Sequence, residues 1–123
     1  MINIIGGTKK RTKILVPPLA VRPTSAQKRE SIFSIIESYG KKHKYKIYKN
    51  TYILDLFAGS GALGLEAISR GSIFGYFFEN NANVIYHLKK NCIKVCQNNE
   101  FKIIKENILE TKFTEINKKI SIV

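Results

Sequence analysis

The residues best suited to chemistry in this chain form one loop, Asp55-Leu56-Phe57-Ala58-Gly59-Ser60-Gly61, within the stretch NTYILDLFAGSGALGLEAISRG from Asn50 to Gly71. Gly59 and Gly61 remove side chains where a backbone must turn sharply and a ligand must come close to it. Ser60 and the backbone N–H groups around it, from Phe57 and Ala58 onward, can donate hydrogen bonds at the start of a following helix. Asp55 sets the loop apart from a phosphate cradle. A carboxylate at a strand end repels pyrophosphate but accepts from a cationic amine, such as that of a methionine moiety. The loop also lacks the Lys-Ser/Thr ending of a nucleoside-triphosphate loop.

Two further positions belong with it. Glu79 comes 24 residues after Asp55, with Asn80 beside it, and two carboxylate oxygens suit the 2′- and 3′-hydroxyls of a ribose. Asn107, followed by Ile108, stands after a third apolar run, where an amide could address an adenine edge. Other readings compete. Asp55 could be a plain turn or capping acid. Gly59, Gly61 and Gly64 also satisfy the Gly-x-Gly-x-x-Gly expression of dinucleotide folds, although such a loop carries no preceding acid. The combination of acid, Gly-x-Gly, second acid and Asn is more specific than any one of its parts.

Strands and helices must alternate to position these groups. Apolar runs at Ile2–Ile5 and Ile14–Val16 flank the basic turn Gly6-Gly7-Thr8-Lys9-Lys10-Arg11, which predicts a short hairpin stopped by Pro17-Pro18. Thr24, with Gln27 three residues on, predicts a helix N-cap. The stripe Ile32, Ile35, Ile36 and Tyr39, with Phe33 beside it, predicts the buried face of that helix, ended by Gly40. The basic tract from Lys41 to Lys49 reads as a loop. Tyr52–Phe57 predicts a strand, Leu63–Ile68 a helix closed by Gly71, and Ile73–Phe78 a second strand. Asn80 or Asn81 caps a helix with the stripe Val84, Ile85, Leu88, Cys92, Val95 and Cys96. Phe101–Ile104 makes a third strand, Ile108–Phe113 a short helix, and Ile120–Val123 the start of a fourth strand. This order is α/β: the N-terminal half of a doubly wound parallel sheet, covered on both faces, after a small basic hairpin and helix. Residues 1–49 form the appendage and 50–123 a partial cofactor domain.

Composition fits one such domain. The chain has 123 residues, 44% of them hydrophobic, and 21 Lys plus Arg against 9 Asp plus Glu give a net charge of +12. So much charge on so small a chain attracts a polyanion. Nothing reads as a signal peptide or a bilayer span. Cys92 and Cys96 fall inside a helical pattern, and with His43 and His87 they make a poor zinc set. The expected setting is reducing and cytoplasmic, with no metal.

The chain resembles the bacterial small-subunit ribosomal RNA guanine-N2 methyltransferases, a class I family with a Rossmann-like fold that acts on 16S rRNA. The resemblance rests on Ile4-Ile5-Gly6-Gly7, on Arg22-Pro23-Thr24 followed by Lys28-Arg29-Glu30-Ser31-Ile32-Phe33, and on Leu54 through Gly71. It implies that Asp55 and the Gly59–Gly61 turn hold the methionine part of S-adenosylmethionine, that Glu79 holds the ribose, and that Asn107 and Ile108 flank the adenine. Asn107 stands where the family commonly has Asp. The resemblance also implies that Lys9, Lys10, Arg11, Lys13, Arg22, Lys28 and Arg29 face RNA of the assembling small subunit. Amino-methyltransferases of this kind clamp the target NH₂ with an Asn/Asp-Pro-Pro-aromatic loop after the fourth strand. No such tetrapeptide occurs here, since Pro17-Pro18 is followed by Leu19. No catalytic residue is therefore assigned. The expectation is a truncated methyltransferase whose open sheet edge favours self-association. An inert RNA-binding remnant and a related DNA amino-methyltransferase are the alternatives.

Overall fold

The computed structural model describes residues 1–18 and 24–106, together with the backbone of 120–122. Arg22, Asn107, Ile108 and the helix expected over Ile108–Phe113 lie outside the described residues. The chain opens with an antiparallel hairpin of β1 (Ile2–Asn3) and β2 (Lys13–Ile14), paired Ile2 with Ile14 and Asn3 with Lys13. Then come α1 (Ala26–Lys42), β3 (Tyr52–Asp55), α2 (Ala62–Ser69), β4 (Phe74–Phe78), α3 (Ala82–Val95), β5 (Phe101–Ile104) and β6 (Ile120–Ile122).

The last four strands form one parallel sheet in the order β5-β4-β3-β6. Asp55 ends β3 opposite Phe77 of β4, so Glu79, two residues further on, leaves the same carboxyl edge. Side chains alternate across β4 as strand geometry requires. Phe77 packs in a core with Ile53, Leu65, Leu88 and Cys92, while Tyr76 and Phe78 join Ile104 in a second cluster. Both sets are buried, as in a parallel sheet with two covered faces. Ile4, Ile14 and Phe33 belong to the same core as Phe77. Among the described residues no helix is long and apolar enough to cross a membrane.

The helix α1 departs from the sequence reading. Ser25, not Thr24, is the N-cap, and its Oγ accepts from the Lys28 N–H at 3.2 Å. The register so selected buries Arg29, Phe33 and Gly40. The stripe expected to face the core is instead largely outward, with Ile35 71% and Tyr39 58% exposed. The reason lies in Arg29, which sits one turn before Phe33 and must reach a buried acid (below). Gly40 does not end the helix. It lies inside α1, where a Cβ would stand 2.9 Å from the Tyr45 carbonyl oxygen as the chain folds back. The helix runs on through Lys41 and Lys42, the first two residues of the basic tract expected to be loop.

The hairpin is bolted to α2 by a buried acid. Glu66 is 0% exposed. Its carboxylate accepts from the Ile5 and Gly6 N–H groups at 2.9 Å each, from Arg29 Nη1 at 3.4 Å and from Arg70 Nε at 3.0 Å. Ser69 continues the contact: its Oγ donates to the Gly6 carbonyl at 2.6 Å and accepts from the Lys9 N–H at 2.9 Å. Gly7 has φ +78°, and a Cβ there would lie 1.9 Å from the Ser69 carbonyl oxygen. Gly7 is thus required by the close approach of hairpin to helix.

Candidate functional site

Between β3 and α2 the backbone makes the sharp turn expected of Gly59 and Gly61, with φ of +55° and +88°. Gly61 is the N-cap position of α2 and receives no side-chain cap. Its N–H donates to the Ala58 carbonyl at 2.8 Å, and its own carbonyl accepts from Leu65 at 2.8 Å. Ala58 in turn donates to the Phe78 carbonyl at 3.0 Å, fastening the loop to the end of β4. A Cβ on Gly59 would meet nothing within 4 Å, whereas one on Gly61 would strike Leu88 at 2.8 Å. Open space therefore lies on the Gly59 side of the turn. Ala58 and Ser60 are buried, and Phe57 is 78% exposed.

Glu79 closes the loop from the neighbouring strand. Its Oε1 accepts from the Gly59 N–H at 3.1 Å, and its Oε2 accepts from the Asn81 N–H at 3.1 Å. Each oxygen keeps a further lone pair, so a diol can still be received. Asn80 beside it is exposed. Asn81 is the N-cap of α3, accepting from Asn83 and Val84, so of the two Asn residues considered from sequence the second does the capping.

Asp55 is the chemically unsatisfied member. Its Oδ2 is buried and has no hydrogen-bond partner among the described residues. Burial pushes its carboxyl up to about 6, against the pull of the Gly64 and Phe57 backbone N–H groups, and nearby Glu79 raises it further. A buried acceptor without a donor is costly unless a ligand supplies one. Asp55 also lines a groove of about 380 Å³ with otherwise apolar walls, among them Ile36, Leu56, Phe57 and Leu63. An orphaned carboxylate oxygen among apolar walls suits an amphipathic cation. The amino-acid end of S-adenosylmethionine has that chemistry, and a pyrophosphate does not. The residues present fit the cofactor.

Other expected residues are placed differently. Lys9, Lys10, Arg11, Lys13 and Lys28 are exposed. Arg29 is not: it is 1% exposed and donates to the Asn3 carbonyl at 2.9 Å as well as to Glu66. Its expected phosphate contact is therefore corrected, because a guanidinium enclosed by hairpin and α2 cannot reach RNA. Cys92 and Cys96 are buried free thiols on the inner side of α3.

Two residues escaped the sequence reading. Glu66 is the lone charged residue in the eight-residue helix ALGLEAIS, and that isolation was the available signal. Asn91, 1% exposed, interrupts the apolar stripe of α3. Its Nδ2 donates to the Leu15 and Ser60 carbonyls at 2.8 Å each, and its Oδ1 accepts from the Leu15 N–H at 2.8 Å. One amide thus ties the hairpin to the candidate cofactor loop.

A parallel sheet flanked by helices, a preceding hairpin and an acid-bearing glycine loop at the carboxyl edge define a Rossmann-like fold of the class I methyltransferase type. A family model described as "Conserved hypothetical protein 95" matches residues 2–123, and the chain belongs to that family. It is homologous to proteins named ribosomal RNA small subunit methyltransferase D. With that of Buchnera aphidicola subsp. Acyrthosiphon pisum it is 39% identical over 88% of this chain and 52% of the relative. With that of Escherichia coli K12 it is 37% identical over 73% and 42%. Among solved structures, a putative methyltransferase from Escherichia coli superposes with a TM-score of 0.70 and 31% identity, covering 88% of this chain and 54% of the other. The chain thus spans about half the length of the curated relatives it matches.

Proposed function

We propose that the domain to which these residues belong transfers a methyl group from S-adenosylmethionine to the exocyclic N2 of a guanine in 16S rRNA. The observation that carries the reading is the buried, partnerless Oδ2 of Asp55 at the end of β3, beside the Gly59–Gly61 turn. S-adenosylmethionine, when bound, supplies an electrophilic methyl group on a sulfonium centre. Asp55 accepts from the amine of its methionine part, and Glu79 accepts from the ribose hydroxyls while holding the loop through the Gly59 N–H. Phe57, Ala58, Ser60 and Asn80 complete the wall of the cofactor site, and Asn107 and Ile108, which lie outside the described residues, are proposed as its adenine contacts. Asn107 keeps an acceptor oxygen without the charge of an acid. The small-subunit rRNA specificity is supported by the names of the relatives and by the exposed cations Lys9, Lys10, Arg11, Lys13 and Lys28; Arg22, outside the described residues, is proposed to act with them. In this reading residues 1–49 are the RNA-facing part and 50–123 the cofactor part, working in the cytoplasm.

Incubation with undermodified small-subunit particles and labelled S-adenosylmethionine, followed by nucleoside analysis, should yield N2-methylguanosine. Label in adenine, cytosine or DNA would contradict the assignment. Tight particle binding without any label transfer would favour an inert RNA-binding chain.

A further inference from the structure

The outgoing arm of the hairpin runs along α3 from its last turn to its first. The exposed Lys9 stands at the tip of this arm, with its backbone N–H on Ser69 Oγ at 2.9 Å. Lys94 Nζ donates to the Lys13 carbonyl at 3.0 Å. Asn91 holds both backbone groups of Leu15. Pro17 and Pro18 then face Asn83, Tyr86 and His87 across a cleft of about 320 Å³. This seam ends at the first turn of α3, directly after Glu79 of the candidate cofactor site.

Its charge is one-sided. Residues 1–29 contain no Asp or Glu, and neither does α3, which carries Lys89, Lys90 and Lys94. The nearest acids in sequence, Glu79 and Glu100, stand beyond the two ends of the helix, and both are hydrogen-bonded to backbone N–H groups. The Lys90 ammonium lies 4.5 Å from the centre of the Tyr86 ring, which is 58% exposed. His87 Nδ1 lies 3.0 Å from the Asn83 carbonyl oxygen. A carbonyl only accepts, so Nδ1 carries the proton in this contact, and Nε2 is the ring nitrogen left for a ligand.

We propose that the seam between the hairpin and α3 is a track for single-stranded RNA, with the Pro18–Tyr86–His87 cleft receiving a nucleobase. It rests on the rRNA reading above and deepens it, extending the contact surface from the hairpin tip along α3. The chemistry matches what an unpaired strand needs: ammonium groups spaced along a backbone path, a proline and aromatic surface for a base face, and amide and imidazole groups for its edge. The track also has a direction. Phosphates pass Lys9, Lys13, Lys94 and Lys90, and the strand arrives at the carboxyl edge of the sheet, where a base is to be presented.

Fluorescence anisotropy with a labelled single-stranded oligoribonucleotide at several salt concentrations tests this. The pair Lys90→Gln with Lys94→Gln should lower the salt slope by about 1.4, the value for two lost phosphate contacts on a single strand. Tyr86→Ala should weaken binding at least about five-fold. The control Lys41→Gln, Lys42→Gln, Lys44→Gln, on the other basic tract, should leave the slope unchanged. The proposal is overturned if the control loses as much as the seam variants, if Tyr86→Ala binds like wild type, or if wild type does not bind RNA at low salt. Calorimetry with S-adenosylmethionine on the same proteins separates the two readings. RNA bound along the seam without cofactor binding would leave the track standing and remove the methyltransferase assignment. Cofactor bound, with RNA affinity indifferent to every seam variant, would do the reverse.

Discussion

Glu66 and Asp55 are both withdrawn from solvent, yet their oxygens meet opposite surroundings. Glu66 is fully buried and receives four donors from three elements: two hairpin N–H groups, Arg29 and Arg70. Asp55 keeps one buried oxygen with no partner among the described residues, and burial holds its carboxyl up at about 6. A satisfied buried acid organises the fold, because removing it strands its partners. An unsatisfied one is a standing cost that a cationic ligand relieves. The contrast separates what builds this molecule from what it binds.

Glu66→Ala should have the largest effect. It leaves Arg29 buried without a counter-charge and should cost about 3–5 kcal/mol, read from urea unfolding. A loss below about 1 kcal/mol would mean that Arg29 finds water instead. Asp55→Asn should act in the opposite direction. The native carboxyl titrates near 6 rather than 3.8, so between those values the folded state holds a proton that the unfolded chain has released. Stability therefore falls as pH rises through that window, and the whole penalty, at most about 3 kcal/mol, is present above it. The Asn variant should be the more stable protein at pH 7.5 and show no fall across the window. Equal melting profiles from pH 4 to 7.5 would remove the orphaned carboxylate from the account.

Smaller effects sharpen the link between the two regions. Asn91→Leu deletes three hydrogen bonds and should cost about 1–3 kcal/mol, with faster amide exchange at both Leu15 and Gly61. Exchange that quickens at the hairpin alone would show that the Ser60 contact does not hold the loop. Charge reversal of Lys9, Lys10 and Arg11 touches exposed side chains and should change stability by no more than about 0.5 kcal/mol. It should nevertheless weaken RNA binding and flatten its salt dependence. Unchanged affinity would take the hairpin tip out of the RNA surface.

The elements of the sheet were legible because their periods were clean. Phe74–Phe78 is short, apolar and bounded by turn residues, and Val84, Leu88, Cys92 and Val95 repeat at helical spacing. The cofactor loop was legible because acid and glycines fall at a strand end in one unbroken segment. The inward face of α1 differs from its apolar pattern for a physical reason. Its inward residue is Arg29, an unlikely candidate by residue type, and its partner Glu66 lies 37 positions away. A pattern of apolar residues cannot reveal a stripe anchored by a buried ion pair. For the same reason neither the buried role of Arg29 nor that of Asn91, polar within an apolar stripe, shows in local spacing. Local spacing carries short-range chemistry, while polar contacts across the fold become visible only in three dimensions.

Titration calorimetry of S-adenosylmethionine against the wild-type chain and Asp55→Asn tests the central claim most directly. The wild type should bind S-adenosylmethionine but neither NAD nor ATP, and its affinity should fall as pH drops through about 6, where Asp55 takes up its proton. Asp55→Asn should lose at least about ten-fold in affinity, the size of one charge-assisted hydrogen bond. Binding of NAD in preference, or S-adenosylmethionine affinity unchanged by the substitution, would contradict it.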